Sequence, residues 1–261
     1  ITTLPLLPDT SLAEISLQLN LNNYSDRIET GKLKVTITPE NFNGPSLEFS
    51  KEIELNPNSS TKIKLNSDNE KSLIFIQPYL WWPNSYGKPN LYRIRLQYIN
   101  AGTVSDDTTF VFGIRTVSSK TVEVKGKYIR RDFYVNGKRV NLVGGAWVPD
   151  MMVNRDSLRY DNELRLCQNA NINLIRIWGG GITPPDEFFN AADRYGLLVW
   201  SDFWITGDTQ GEFKGSPDWP IESNVFIRNM VSTILRIRNH PSLLIWTGGN
   251  EGHARKELYY A

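Results

Sequence analysis

Leu243-Leu244-Ile245-Trp246-Thr247-Gly248-Gly249-Asn250-Glu251 is the stretch of this chain that decides its fold. It begins as an apolar run ending in Trp246, which is typical of a strand buried on both faces. It closes with small residues and then a carboxamide beside a carboxylate. We predict a strand over residues 243–251 with chemistry at its C-terminal end. The alternative is that Glu251 caps the next helix, because acidic residues are common at helix starts.

The region before this stretch repeats the same alternation of apolar strand and helix. Strands are predicted at 140–148, 173–178 and 197–203, and helices at 158–169, 185–195 and 220–239. Such alternation predicts βαβ units around a parallel sheet. Four units fill about 120 residues and a closed (β/α)8 barrel needs ~250. Residues 118–261 are therefore predicted to be the first half of a TIM barrel.

Residues 1–117 predict a separate all-β domain. Short alternating strands are expected at 13–21, 32–38, 47–55, 61–65, 91–99 and 108–114. Their turn residues and spacing indicate a two-sheet sandwich of immunoglobulin type. After this domain, residues 133–140 predict a hairpin that turns at Asn136-Gly137.

Composition narrows the classes of partner. The 261 residues are 40% hydrophobic and 22% charged, which favours a packed core. The net charge is +1 without a long run of one sign, so neither nucleic acid nor a membrane is expected as a partner. No His, Cys and carboxylate group has metal-ligand spacing, and the glycines at 179–181 lack the spacing of a dinucleotide loop, so no cofactor is expected.

The beginning of the chain predicts a piece of a longer precursor. It starts at Ile1 rather than Met, and no signal-peptide pattern is present. Asn23-Tyr24-Ser25 and Asn58-Ser59-Ser60 are glycosylation acceptor patterns, which are consistent with a secretory or vacuolar protein. The compartment stays open.

Polar and aromatic residues follow the predicted strands at their C-terminal ends. These ends converge on one rim in a (β/α)8 barrel, and active sites lie there. The set comprises Trp147, Arg176, Trp178, Asp202, Trp204, Asn250 and Glu251. Aromatic faces stack on a pyranose ring while charged and amide groups bind its hydroxyls, so this set suits a sugar. Glu251 is the candidate for protonating a glycosidic oxygen.

Structural roles compete with that interpretation. The three indoles can be packing plugs, and the charged pair can tie neighbouring strands together. The three indoles are those of Trp147, Trp178 and Trp204. The charged pair is Arg176 and Asp202. His240, before Pro241, is expected to hydrogen-bond backbone in a loop.

Several motifs resemble glycoside hydrolase family 2, in its β-mannosidase branch. They are Ile-Arg-Ile-Trp-Gly-Gly-Gly at 175–181, Leu-Val-Trp-Ser-Asp-Phe at 198–203, Asn-His-Pro-Ser at 239–242, Gly249-Asn250-Glu251, Leu-Trp-Trp-Pro at 80–83 and Phe-Gly-Ile-Arg at 112–115. Residues 200–208 are most similar to the plant-type endo-β-mannosidases of that family. The resemblance covers nearly the whole chain.

The resemblance implies a retaining glycosidase with two carboxylates. Glu251 matches the acid/base, and Asn250 matches the residue that holds the hydroxyl at C2 of the sugar. The nucleophile is a second Glu on a later barrel strand, outside this chain, and the family's N-terminal sugar-binding-type domain is absent too. The implied partners are therefore other fragments of the same precursor and an oligosaccharide or glycopeptide substrate.

The implied reaction is cleavage of Man-β-1,4-GlcNAc in N-glycan cores, which needs the fragment that carries the rest of the barrel. One alternative is an exo-β-mannosidase or exo-β-glucosaminidase of the same family. The other is a carbohydrate-binding module without catalysis.

Overall fold

A computed structural model describes residues 1–124, 126, 128–148, 156–206, 220–251 and 258. The chain divides into two compact units. The first is Ile1–Trp82 with Asn90–Val140, and the second is Pro83–Pro89 with Asn141–Ala261. No helix in the described ranges is long and apolar enough to cross a membrane.

The first unit is built from antiparallel strands. They are β1 Thr2–Pro5, β2 Leu12–Asn23, β3 Glu29–Pro39, β4 Leu47–Leu55, β5 Ser59–Leu65, β6 Ile74–Ile76, β7 Tyr92–Asn100, β8 Thr103–Phe112, β9 Val117–Val124, β10 Tyr128–Val135 and β11 Lys138–Val140. One sheet has the order β1-β2-β5 with β6 also paired to β2, and a second has the order β4-β3-β7-β8. Strands β9, β10 and β11 form a third sheet.

The first two sheets share one apolar core. Alternate residues of β2, such as Ile15 and Leu17, and of β3, such as Val35 and Ile37, are buried in the same cluster. In a β-strand every second side chain points to the same face. These strands therefore bury one face and expose the other. The predicted two-sheet sandwich is confirmed. Strands β1 and β6 were not predicted, because segments of four and three residues are too short to show a period.

The hairpin predicted at Asn136-Gly137 is confirmed. Val135 pairs with Lys138, which leaves these two residues as the turn. Both have positive φ, 49° and 76°, as a two-residue turn that matches the twist of its strands requires. The Asn136 side chain also donates to Trp81 O at 3.0 Å, so the hairpin is anchored inside the first unit.

Asn23 holds together the end of the sandwich. Its side chain is buried, and Nδ2 donates to the carbonyls of Arg27, Leu55 and Asn56 at 2.8, 3.2 and 3.0 Å. This nitrogen is the one that would carry a glycan, so the folded unit does not present Asn23 as an acceptor. Asn58, by contrast, is exposed between β4 and β5.

Asp132 links β10 to β11 in the third sheet. Its carboxylate, 8% exposed, accepts from Arg130 Nε at 2.7 Å and lies 3.2 Å from Arg139 Nε. The hydrogen bonds from Arg130 lower the pKa of the Asp132 carboxyl, and the positive charges of Arg130 and Arg139 lower it further. Burial acts in the opposite direction but does not outweigh them. A lowered folded pKa adds stability above the unfolded pKa, and this stability is lost as the pH falls through the folded pKa.

We therefore expect Asp132→Asn to lower the thermal midpoint of the first unit at pH 7, and the difference from wild type to shrink below about pH 4. Calorimetry across this pH range measures both. A difference that stays constant down to pH 2 would show that the charge of Asp132 contributes nothing.

The second unit contains a parallel sheet with helices. Its described elements are β12 Gly144–Trp147, α1 Ser157–Asn169, β13 Leu174–Ile177, α2 Asp186–Tyr195, β14 Leu198–Asp202, α3 Ser223–Ile237 and β15 Leu243–Thr247. The four strands are parallel and in chain order, β12-β13-β14-β15. The predicted alternation of strands and helices around a parallel sheet is confirmed.

Local sequence explains where these helices start and stop. Asp156 caps α1 by accepting from Arg159 N at 2.8 Å. Pro185 stands just before α2, and Gly196 ends it in the left-handed conformation with φ 68°. The predicted end of α2 at Gly196 is thus confirmed.

Two strand predictions extend well beyond the observed strands. The strand expected at 140–148 corresponds to the shorter β12. The backbone N–H of Asn141 donates to Tyr86 OH, and that of Val143 donates to Asn173 Oδ1. These two groups therefore bond to side chains instead of a neighbouring strand. The strand expected at 243–251 ends at Thr247. Beyond it the chain turns back, and Asn250 N donates to Ile205 O at 2.7 Å.

Candidate active site

The sheet of the second unit has two different faces. Ile175, Ile177 and Val199 pack into a core with helix residues such as Leu164 and Phe188. Since side chains alternate along a strand, the other face of β13 and β14 carries Arg176, Trp200 and Asp202. Arg176 on β13 lies opposite Trp200 on β14, and Asp202 on β14 lies opposite Thr247 on β15. The two pairs follow each other along β14, since Trp200 and Asp202 are two residues apart.

Arg176 and Asp202 form a two-point ion pair between β13 and β14. Nη2 lies 2.6 Å from Oδ2 and Nε lies 3.3 Å from Oδ1. The Asp202 side chain has no exposed surface. Its carboxylate also accepts from Gly179 N at 3.2 Å and from the Thr247 hydroxyl. Removing one partner of such a pair typically costs about 3–5 kcal/mol, because an uncompensated buried charge remains.

Asn250 lies at the same edge of the sheet. Its Oδ1 accepts from Arg176 Nη2 at 2.9 Å, and its Nδ2 donates to Thr206 Oγ1 at 3.3 Å. With the backbone bond to Ile205 O, three contacts fix both the position of Asn250 and the direction of its amide. The structure therefore brings together Arg176, Asp202 and Asn250, as predicted for one rim.

Two glycines let the loops after β13 and β15 approach residue 205. A Cβ added to Gly179 would lie 2.6 Å from Ile205 O, and one added to Gly249 would lie 2.7 Å from Ile205 Cβ. A side chain at either position would separate these loops. The glycines therefore help to position Asn250.

Glu251 follows this fixed residue directly. Its backbone has φ 51°, a conformation that turns the chain away from the strand direction, and the residue is exposed. The carboxylate thus lies beyond the C-terminal end of β15, where the chemistry of such a sheet is expected. The alternative that Glu251 caps a following helix concerns residues 252–257, which lie outside the described residues.

The three predicted indoles have different surroundings. Trp178 is partly exposed just after β13, and its ring lies against Gly180, where an added Cβ would be 2.0 Å away. Trp204 donates to Thr183 Oγ1 at 3.2 Å and packs edge-on against Phe226 of α3.

Trp147 lies on the helix side of the sheet. It donates to Glu163 Oε2 at 3.0 Å, and its ring centroid is 5.0 Å from that of Phe188. These contacts do not bring it together with Arg176. Its assignment to a sugar site stays a prediction, and its contacts favour the packing role.

The sequence interpretation did not include Trp200, Thr206 and Thr247 in the site. The Trp200 ring lies under the Arg176 guanidinium, with 5.4 Å from Cζ to the ring centroid, and its Nε1 donates to Thr247 Oγ1 at 3.0 Å. A polar residue at the end of β15 was the available signal for Thr247. Nothing in an apolar run distinguishes Trp200 from an ordinary core residue.

His240 lies in a loop as expected, but the expected bond from its side chain to backbone is wrong. Its Nδ1 lies 2.6 Å from Asp193 Oδ2, so the side chain contacts a buried carboxylate rather than backbone. Asp193 also accepts from Ser242 N at 2.9 Å. The pair joins α2 to the start of β15 and is structural.

These groups can bind and orient a polyhydroxylated ligand. A fixed amide, a guanidinium and a partly exposed indole lie at or just after the ends of neighbouring strands, and the exposed residue Glu251 directly follows the amide in the chain. A carboxyl group can exchange a proton with a bound oxygen. Within the described ranges, no three His, Cys, Asp or Glu side chains are arranged to hold a metal ion.

Two family profiles match the chain. The one described as "Glycosyl hydrolases family 2" matches residues 2–115, and "Glycosyl hydrolases family 2, TIM barrel domain" matches residues 122–260. Together they follow the order of sandwich and parallel sheet. The domain limits 1–117 and 118–261 remain a prediction.

Individual proteins are similar over most of the chain. The mannosylglycoprotein endo-beta-mannosidase of Lilium longiflorum is 35% identical over 240 residues, which are 89% of this chain and 24% of the lily protein. The structure of a β-D-mannosidase from Dictyoglomus thermophilum matches with a TM-score of 0.74 and 25% identity, covering 92% of this chain and 28% of that one.

A third match concerns the fold alone. The exo-β-D-glucosaminidase CsxA of Amycolatopsis orientalis superimposes with a TM-score of 0.75 at 22% identity, over 96% of this chain and 28% of that one. The chain spans about a quarter of the length of the curated relatives it matches. With its sandwich and barrel profiles in sequence order, the chain belongs to glycosyl hydrolases family 2.

Proposed function

We propose that this chain supplies the acid/base half of a β-mannoside-hydrolysing active site. Glu251 is the acid/base and Asn250 holds the hydroxyl at C2 of the reacting mannose. The observation that carries this proposal is the immobilised Asn250 amide, bonded to Arg176 and Thr206, directly before an exposed carboxylate. Membership of family 2 supports it.

The proposed reaction has two steps with retention of configuration. Glu251 donates its proton to the glycosidic oxygen as the bond from C1 to that oxygen breaks. A nucleophilic Glu from a later strand, outside this chain, forms a covalent bond to C1. The Glu251 carboxylate then takes a proton from the water that attacks C1, and the nucleophile leaves.

The other parts of the proposal concern architecture and partners. The parallel sheet β12-β13-β14-β15 is the first half of a (β/α)8 barrel, and the sandwich is of immunoglobulin type. The partner is the polypeptide that completes the barrel and carries the nucleophile. The relatives are about four times longer than this chain, which supports such a larger protein. No cofactor takes part.

The proposed substrate is the Man-β-1,4-GlcNAc linkage of N-glycan cores. The 35% identity to the lily endo-beta-mannosidase supports this choice over other β-mannosides. The test uses the full-length protein with aryl β-mannoside, aryl β-glucosaminide and a Man-β-1,4-GlcNAc glycopeptide that carries further mannose. We expect release of the intact mannosyl oligosaccharide. Release of single mannose units only, or of glucosamine, would replace the endo proposal with an exo-enzyme.

The exo-β-mannosidase alternative has support of its own, because the chain also matches a β-D-mannosidase at 25% identity. The exo-β-D-glucosaminidase alternative rests on the family alone, since that structure shares only the fold. A carbohydrate-binding module without catalysis is the remaining alternative. It predicts sugar binding with no hydrolysis of any substrate in the same panel.

We further propose that Trp178 binds the substrate directly, whereas Arg176 acts on it through Asn250. Trp178→Ala is expected to cost ~1–3 kcal/mol of transition-state binding, because the apolar sugar face loses its platform. The measurement is kcat/KM on an aryl β-mannoside. Trp178→Phe retains an aromatic face and is expected to lose less. Equal values for wild type and Trp178→Ala would remove this residue from the subsite.

A further inference from the structure

We propose that Thr247 and Asp202 are positioning residues that act on the sugar through Asn250 without touching it. A closed ring of four side chains, Trp200, Thr247, Asp202 and Arg176, fixes the guanidinium that orients the Asn250 amide. This inference rests on the proposed function of Asn250. It gives Asp202 a role different from the sugar contact predicted from the sequence.

The ring closes through three hydrogen-bonded contacts and one ring contact. The Trp200 indole N–H donates to Thr247 Oγ1, and the Thr247 hydroxyl donates to Asp202 Oδ1. Asp202 accepts two bonds from Arg176. The Arg176 guanidinium lies over the Trp200 ring, which completes the circuit. The four side chains come from three neighbouring strands, so the ring spans β13, β14 and β15.

Asp202 has no room for a sugar hydroxyl. Its side chain is fully buried, and four donors already surround its two oxygens: Arg176 Nε and Nη2, Gly179 N and the Thr247 hydroxyl. A carboxylate offers about four lone-pair sites. Asp202 therefore acts on the guanidinium and on the loop after β13 rather than on a ligand.

The Thr247 hydroxyl connects the Trp200 indole to the Asp202 carboxylate. A hydroxyl both donates and accepts, and both functions are used here. Valine has the same shape without this group. Thr247→Val would leave the indole N–H without its acceptor and Asp202 without one donor, so the pair Arg176–Asp202 would lose its fixed angle. Arg176 could then release Asn250.

The test measures kcat, KM and thermal midpoint in the full-length protein for Thr247→Val, Thr247→Ser, Asn250→Ala and the double variant Thr247→Val with Asn250→Ala. We expect Thr247→Val to lower kcat about tenfold with KM changed less than about twofold, because the contact with the C2 hydroxyl is made in the transition state. Thr247→Ser restores the hydroxyl and is expected to recover most of kcat.

The decisive comparison is the effect of Thr247→Val in the two backgrounds. If Thr247 acts through Asn250, its substitution has little further effect on kcat once Asn250 is alanine. Ser201→Ala is the matched control. Ser201 is the buried neighbour of Asp202 on β14, its side chain points to the other face, and its hydroxyl has no partner among the described residues. We expect unchanged kinetics for this control.

Three results would overturn the proposal, in two distinguishable ways. An equal loss from Thr247→Val in both backgrounds, or a lowered thermal midpoint with unchanged kcat, would make the ring merely structural while leaving Glu251 and Asn250 in place. Full activity of Asn250→Ala would instead overturn the proposed function of Asn250, and the positioning role with it.

Discussion

Glu251→Ala in the full-length protein is expected to lower kcat/KM for substrates with a sugar leaving group by ~10²–10⁴-fold. A departing sugar alkoxide is a poor leaving group, and this variant lacks the proposed proton donor. An aryl β-mannoside with a strongly acidic phenol needs little protonation. Its first step should therefore be affected much less, and the ratio of the two losses is the quantity to measure.

The matched control is Glu222→Ala. Glu222 is exposed at the start of α3 in the same unit and makes no side-chain capping hydrogen bond. Its removal is expected to leave both substrates unaffected. Unchanged kinetics of Glu251→Ala on the sugar leaving group would remove Glu251 from the mechanism. An equal loss on both substrates would show damage to the fold instead of a lost proton donor.

The second large effect concerns residues 1–261 expressed alone, for which we expect no detectable hydrolysis. One carboxylate can act as an acid, but the proposed nucleophile is not part of this chain. The described sheet ends in β12 on one side and β15 on the other, and unpaired strand edges favour association with other chains. Helix α3 also exposes Val225, Val231 and Leu235.

Light scattering and an assay on an aryl β-mannoside measure both parts of this prediction. We expect aggregation or a larger assembly, and recovery of activity when the remaining barrel is co-expressed. Residues 1–117 alone serve as the control, because the two large sheets of the sandwich share a core and are expected to give a monomer. A monomeric and fully active chain of 261 residues would contradict the half-barrel proposal.

The sandwich could be predicted from sequence because strands such as β2 and β3 bury alternate residues. The bounds of β4, Leu47–Leu55, agree with the prediction residue for residue. The segment 140–148 was predicted less well. Whether its backbone N–H groups join a strand depends on side chains that are distant in sequence, such as Tyr86 and Asn173, and hydropathy contains no information about them.

The candidate site, too, could be predicted only in part from the sequence. The end-of-strand rule placed Arg176, Asp202 and Asn250 together, and the structure brings them into contact. The same rule cannot tell a ligand contact from a buried support. Only the four donors around Asp202 make that distinction, and two of them, Gly179 and Thr247, come from a loop and from another strand.

The most direct measurement of the central claim is the configuration of the product formed by Glu251→Ala with an activated aryl β-mannoside and sodium azide. If Glu251 is the acid/base, the covalent intermediate still forms, and azide replaces the water that Glu251 would have activated. It attacks C1 opposite the nucleophile, so NMR is expected to show β-mannosyl azide. An α-configured azide would make Glu251 the nucleophile, and hydrolysis without any azide product would contradict its role in either step.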